Sequence, residues 1–304
     1  MDDNLAIDIL VSKSASKNVL KTPASLASMQ SKSRWLAELN LTFSEKNGRS
    51  FLAKKQHIGP LVIQKTLHPE GDEVCHGIII HPPGGVAGGD ELVLNVDIAQ
   101  NAKAFLTTPG AGKWYKANGA VASQHLNFSV ALGAQLEWFP QENILFDGAQ
   151  VALTSEIHLA ASSRYASWEI LCFGRQARGE SWQTGQLKQG LSILREGQLI
   201  WNERAFISPQ SRQIQSLVGM YGNVVSGGFI VAAGQVPKII LEACQQVTIS
   251  SGAKYGVTAL PEIFSARYIG QSGQEARIYF EQLWQILRPW YSGREALRPR
   301  IWNT

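Results

Sequence analysis

Apolar and polar residues alternate with a period of two along most of this chain. Leu36, Leu39, Leu41 and Phe43 open the pattern. Leu92, Leu94, Val96 and Ile98 then interleave with Glu91, Val93, Asn95 and Asp97, and Leu126, Phe128 and Val130 with His125, Asn127 and Ser129. Ala134, Leu136 and Trp138 follow, then Val151 with Leu153 and Ile157 with Leu159. Side chains of a strand point alternately to its two faces, so this period predicts strands with one face buried. Between the runs stand turn formers: Gly84-Gly85, Gly88-Gly89, Pro109-Gly110, Asn118-Gly119, Gly133, Pro140, Asp147-Gly148, Gly174, Gly185 and Gly197. Reversals at intervals of about 8–12 residues predict a mainly β fold: sandwich, barrel or solenoid.

Helical spacing is scarcer. Phe280, Leu283, Trp284 and Leu287 stand at i, i+3, i+4 and i+7, which predicts a helix over 274–287 near the C-terminus, ended by Pro289. Residues 213–226 are a second candidate, weakened by Gly219 and Gly222. Residues 229–269 read as further strand, and 294–304 as an extended tail lying against the body. Residues 1–33, rich in Ser, Lys, Asn and Ala without periodicity, read as a loose tail before one β-rich domain over 34–304.

Composition narrows the classes. With 44% hydrophobic residues, 304 residues are enough for a sizeable core. Charged residues are 17%, below the roughly 25% of soluble domains. A chain so poor in charge is expected to expose apolar patches that meet partners. The net charge of +4, without a run of Lys and Arg, argues against nucleic-acid binding. Cys75, Cys172 and Cys244 are widely spaced, which excludes a disulfide scaffold and a zinc ribbon. Asp2, Asp3 and Asp8 do not suit a secretory signal, and apolar runs such as Phe229 to Ala233 fall far short of the ~20 residues that cross a bilayer. A cytoplasmic, non-membrane protein is expected.

Chemical motifs are few. Cys75, His76 and His81 flank one strand. Cys75 and His81 would share a face roughly 20 Å apart, with His76 on the other face, so they do not chelate one ion locally. The other histidines are scattered. Gly110-Ala111-Gly112-Lys113 resembles a phosphate loop but lacks its leading glycine and its final Ser or Thr. The run His81-Pro82-Pro83-Gly84-Gly85-Val86-Ala87-Gly88-Gly89-Asp90 is either an elaborate turn or a loop shaped for a partner or ligand. Glu142, Asp147 and Glu180 lie near turns. Such carboxylates can do acid–base chemistry, hold a cation, or form an ion pair such as Arg178–Glu180 along a strand.

Seven segments in order carry a family resemblance: HPPGGVAGGD, TTPGAGKWYKA, WFPQENILFDGA, LCFGRQARGE, IWNERAFI, ARYIG and LRPWYSGREALRPRIWNT. Together they resemble the urease accessory protein UreD (UreH) family from about Trp35 to Thr304, with Ala87 and Gly112 as small departures. The resemblance implies a right-handed β-helical, solenoid-like body with about two helices. It implies no catalytic residue and no tightly bound cofactor. Its implied role is that of a scaffold and metallochaperone, which with UreF and the GTPase UreG delivers nickel to the urease apoprotein. The family also suggests a two-fold assembly of UreD–UreF pairs. By the same analogy Glu180, Asp90 and Asp147, with His81 as a further member, would line a transient nickel passage. Two other classes stay open: a β-solenoid hydrolase using Asp90, Asp147 and Glu180, and a module that bridges UreF and urease without touching metal.

Overall fold

The computed structural model describes residues 35–249 and 252–303. The loose tail expected over 1–33 lies outside them. The strands run, in chain order, β1 (Leu36–Lys46), β2 (Arg49–Ile58), β3 (Val62–Ile63), β4 (Cys75–Ile80), β5 (Glu91–Ile98), β6 (Lys103–Thr107), β7 (Gly112–Trp114), β8 (Ala122–Val130) and β9 (Gln135–Phe139). They continue as β10 (Asn143–Leu145), β11 (Gln150–Leu159), β12 (Arg164–Phe173), β13 (Gln186–Arg195), β14 (Gln198–Ile207), β15 (Val225–Ala232), β16 (Lys254–Ala259) and β17 (Ile263–Gly270). Three helices accompany them: α1 (Arg212–Gln215), α2 (Lys238–Gln245) and α3 (Gly273–Ser292).

The chain winds as a β-solenoid of about four turns, with 47% of the described residues in strands. Each turn lays one strand in each of two sheets. One sheet is ordered β14-β13-β11-β8-β5-β1-β2, the other β16-β17-β15-β12-β9-β6-β4-β3. The coil itself is parallel: β5, β8, β11 and β13 stack in register in the first sheet, and β4, β6, β9 and β12 in the second.

The alternation in the sequence maps onto two layers of core. Leu94, Phe128, Leu136, Trp138 and Tyr165 point between the sheets. Phe105, Phe139, Trp168 and Phe229 leave the other face of the second sheet and meet Phe280, Leu283, Trp284 and Leu287 of α3. The outer face of the first sheet stays polar. Asn40, Asn95 and Asn127 form a ladder there, Asn95 Nδ2 donating to Asn40 Oδ1 (2.7 Å) and Asn127 Nδ2 to Asn95 Oδ1 (2.8 Å). Stacked amides satisfy one another's donors at the strand spacing.

The helices correct four expectations. Only Arg212–Gln215 is helical in the stretch 213–226, because Gly219 and Gly222 break it into turns, Gly222 at φ +74°. Residues 229–269 are not all strand. Lys238–Gln245 is a helix whose run of Ile239, Ile240 and Leu241 reads equally well as strand. Pro289 does not end α3, which continues to Ser292. A proline removes one amide donor, but Arg288 and Tyr291 are fully packed on either side of it, and burial holds the last turn. The tail is not wholly extended. Arg300–Asn303 forms a 3-10 turn that drives Trp302 into the core.

Candidate functional site

One corner of the solenoid gathers the glycine-rich motifs. After β4, β7, β10 and β12 the chain turns there, at 81–90, 115–121, 146–149 and 174–185, before entering the first sheet. Backbone bonds tie each corner to the next: Tyr115 N–H to Val86 O (2.9 Å), Ala117 N–H to Gly148 O (3.0 Å), and Gly148 N–H to Thr184 O (3.0 Å). Side chains repeat the stacking. The Tyr115 ring covers Gly85, where a Cβ would lie 2.3 Å from it. Tyr115 meets Phe146 edge-on at 5.0 Å, and the Arg175 guanidinium lies 4.4 Å over the Phe146 ring.

The four sequence-predicted residues fall into two pairs at this corner. Asp90 folds back on its own loop, Oδ2 accepting from Ala87 N–H at 2.8 Å. Nearby His81 is held below the usual imidazole range by burial, which the Asp90 charge opposes. Asp147 Oδ1 accepts from Gln183 N–H and Thr184 N–H, both at 2.7 Å, and from the Thr184 hydroxyl at 3.2 Å. Burial works against its ionisation, but these donors outweigh it and hold the carboxyl below its ordinary range. Glu180 is clasped by Arg175, Nε to Oε2 at 2.9 Å and Nη2 to Oε1 at 2.7 Å, and also accepts from Asp147 N–H. The Arg175 fork chiefly lowers its pKa. The expected Arg178 partnership is replaced, because Gln176–Arg178 is a 3-10 turn and not a strand. Glu142 pairs with Arg277 of α3 at 3.5 Å.

The structure thus brings His81 to Asp90 and Asp147 to Glu180, with the 115–121 corner between the pairs. Among the described residues no three His, Cys, Asp or Glu side chains converge to hold a metal ion. Cys75 and His76 are both buried. Cys75 lies in the inter-sheet core, while His76 stacks on Phe105 at 4.5 Å.

A cavity of about 360 Å³ lies between the sheets. Its walls include His81, Gln124, Glu169, Gln189, Glu203 and Arg267. Of the four predicted residues, only His81 is on that wall. Arg267 forks Glu203, Nη1 to Oε1 at 2.8 Å and Nη2 to Oε2 at 2.6 Å. Glu169 is different. It is half-buried in β12 on the cavity wall with the Gln189 amide donating to it, and desolvation pushes its pKa up to about 7, aided by the Glu203 charge. Sequence reasoning missed Glu169, Glu203 and Arg267 on this inner wall. The available signal was a lone carboxylate inside the apolar run of β12, Ser167 to Phe173.

That raised pKa has a measurable sign. The unfolded chain ionises Glu169 near 4.5 and the folded chain near 7, so the group's contribution is intact below 4.5 and lost as pH rises through about 7. Folding stability should fall over that window by up to about 3 kcal/mol. Urea midpoints measured from pH 4.5 to 8 should show Glu169→Gln flattening this slope, and an unchanged slope would place the carboxyl in ordinary solvent.

The fold and its corner define a class: a β-solenoid scaffold with a cavity between its sheets whose mainly apolar wall carries a few charged side chains, a half-buried aromatic column capped by the exposed Arg175, and no three-ligand cage among the described residues. The profile of the UreD urease accessory protein family matches residues 36–303. The urease accessory protein UreD of Methylobacillus flagellatus is 60% identical over 271 residues, 89% of this chain and 95% of that one. That of Dechloromonas aromatica is 45% identical over 273 residues, with 89% and 95% covered. That of Nitrosospira multiformis is 40% identical over 279 residues, with 91% and 100% covered. This chain belongs to the UreD urease accessory protein family. Among the described residues no helix is long and apolar enough to cross a membrane.

Proposed function

We propose that this chain is a non-catalytic scaffold in the cytoplasm that takes part, with UreF and UreG, in carrying nickel to apo-urease. The observation that carries the reading is the combination of family membership with a cavity whose mainly apolar wall carries the carboxylates Glu169 and Glu203, with no closed ligand set among the described residues. A carrier must release its cargo. Few oxygen ligands and water hold nickel loosely, whereas converging imidazoles and thiolates would retain it. Along the passage we assign His81 and Glu169 to the interior and Asp90, Asp147 and Glu180 to the corner where the chain would exchange the ion.

The fact that Asp90 and Asp147 already accept backbone amides favours a second reading, in which the corner only bridges UreF to urease. Co-purified chain, UreF, UreG and apo-urease separate the two. Glu180→Ala should leave the complexes assembled while nickel incorporated into urease falls by about ten-fold, as expected for loss of one charged ligand. Full nickel incorporation after Glu180→Ala, with Asp90→Asn and Asp147→Asn added, would leave the bridging role alone.

A further inference from the structure

We propose that Arg175 is a resident counter-ion of Glu180, displaced when a divalent cation is taken up there; this rests on the reading of Glu180 as a cation ligand. Every oxygen of the Glu180 carboxylate is engaged. Oε1 accepts from Arg175 Nη2 (2.7 Å), Oε2 from Arg175 Nε (2.9 Å) and Arg175 N–H (3.3 Å), and Asp147 N–H donates as well. A cation that takes both oxygens of this carboxylate replaces the guanidinium, which occupies one lone pair on each and repels the arriving charge.

The surroundings suit an exchange. The pair is at the surface, with Arg175 43% exposed and Glu180 22% exposed, so water screens the attraction and separation is cheap. The Phe146 face, 4.4 Å from the guanidinium, offers Arg175 a second partner that is indifferent to the carboxylate. Gly174 at φ +88° directly precedes Arg175 and Gly179 at φ +67° directly precedes Glu180, backbone conformations that other residues rarely adopt. No side chain at Gly179 would meet a neighbour within 4 Å, so the loop has room on that side. Contrast the buried Arg288, whose two carboxylate partners are sealed under α3. Arg175 is built to leave, Arg288 to stay.

The exchange sets the affinity of the site. With Arg175 in place, Glu180 presents little net charge to an arriving ion. Without it, the carboxylate would grip the ion harder and release it more slowly. The test titrates Ni²⁺ by equilibrium dialysis onto the full chain co-purified with UreF, and then measures handover to apo-urease. Arg175→Gln should bind nickel about ten-fold tighter than wild type and deliver it more slowly. Arg175→Lys, which keeps the charge, should stay within about three-fold of wild type. Glu180→Gln should weaken binding and abolish the effect of Arg175→Gln in the double variant. A merely structural role for Arg175 would move affinity the other way. If Glu180→Gln weakens binding while Arg175→Gln does not tighten it, or if Lys and Gln behave alike, the counter-ion role is overturned and the cation-ligand reading stands. If Glu180→Gln binds as wild type, both fall.

Discussion

Arg288→Ala is expected to cost about 3–5 kcal/mol of folding stability, the range for removing one partner of a buried ion pair. Arg288 and Glu137 are fully buried between α3 and β9. The guanidinium donates from Nε and Nη2 to Glu137 (3.1 and 2.8 Å), from Nη1 and Nη2 to Glu70 (2.6 and 2.8 Å), and from Nη1 to Glu295 O (2.7 Å). Tyr291 and Trp284 add donors to Glu137, and His76 Nε2 stands 2.5 Å from Glu70. Deleting the arginine strands two carboxylates where no water reaches them. Urea unfolding, or the soluble fraction on expression, measures the loss; a change below about 1 kcal/mol would mean that the pocket admits water or repacks.

The same network carries an acid limit. Burial alone would raise the Glu70 pKa, but hydrogen bonds from His76 and Arg288 overcome it and leave the carboxyl at about 2. A depressed pKa contributes stability that is present above the unfolded value near 4.5 and lost as pH falls toward 2. About 3 kcal/mol should disappear over that interval, and Glu70→Gln should remove the dependence.

The second large effect is expected at Trp302. Its ring fills the outer core, with centroids 5.3 Å from Trp168, 6.0 Å from Trp284 and 6.1 Å from Phe105. Its Nε1 donates to Thr107 Oγ1 at 2.7 Å, which in turn donates to Phe139 O at 2.5 Å. Trp302→Ala should cost about 3–5 kcal/mol, the range for emptying an aromatic core site. Trp302→Phe should recover most of the packing but leave Thr107 without its indole partner. Equal urea midpoints for Ala and wild type would show that the last turn only rests on the surface.

Period-two alternation named the strands because a half-buried strand has no other economical pattern: Leu92, Leu94, Val96 and Ile98 could only face one way. It could not choose among sandwich, barrel and solenoid. That choice depends on which strands pair, and the parallel stacking of β5, β8, β11 and β13 leaves no local mark. The family segments supplied it. The α3 stripe was legible, whereas α2 was not, since eight residues opening on Lys-Ile-Ile-Leu fit either period. Asp90, Asp147 and Glu180 were singled out by family analogy, as the acidic members of the matching segments, each beside a turn glycine. Their engagement with backbone amides and with Arg175 was invisible, being set by loop geometry. Glu169 was overlooked because one carboxylate in an apolar strand belongs to no motif, and the Arg288–Glu137 pair because it spans 151 positions.

That span also has a timetable. Synthesis proceeds at about 5–20 residues per second, so the ribosome needs roughly 8–30 s to go from Glu137 to Arg288. Over that interval the nascent chain adds Phe139, Trp168 and Phe229 to Phe105 without the helix that will shelter them. The lid over the greasiest surface emerges after the surface itself. A chain built in this order is most at risk of clumping just before α3 is made, and slowing translation ahead of residue 273 should lower its soluble yield, while a holdase chaperone should restore it.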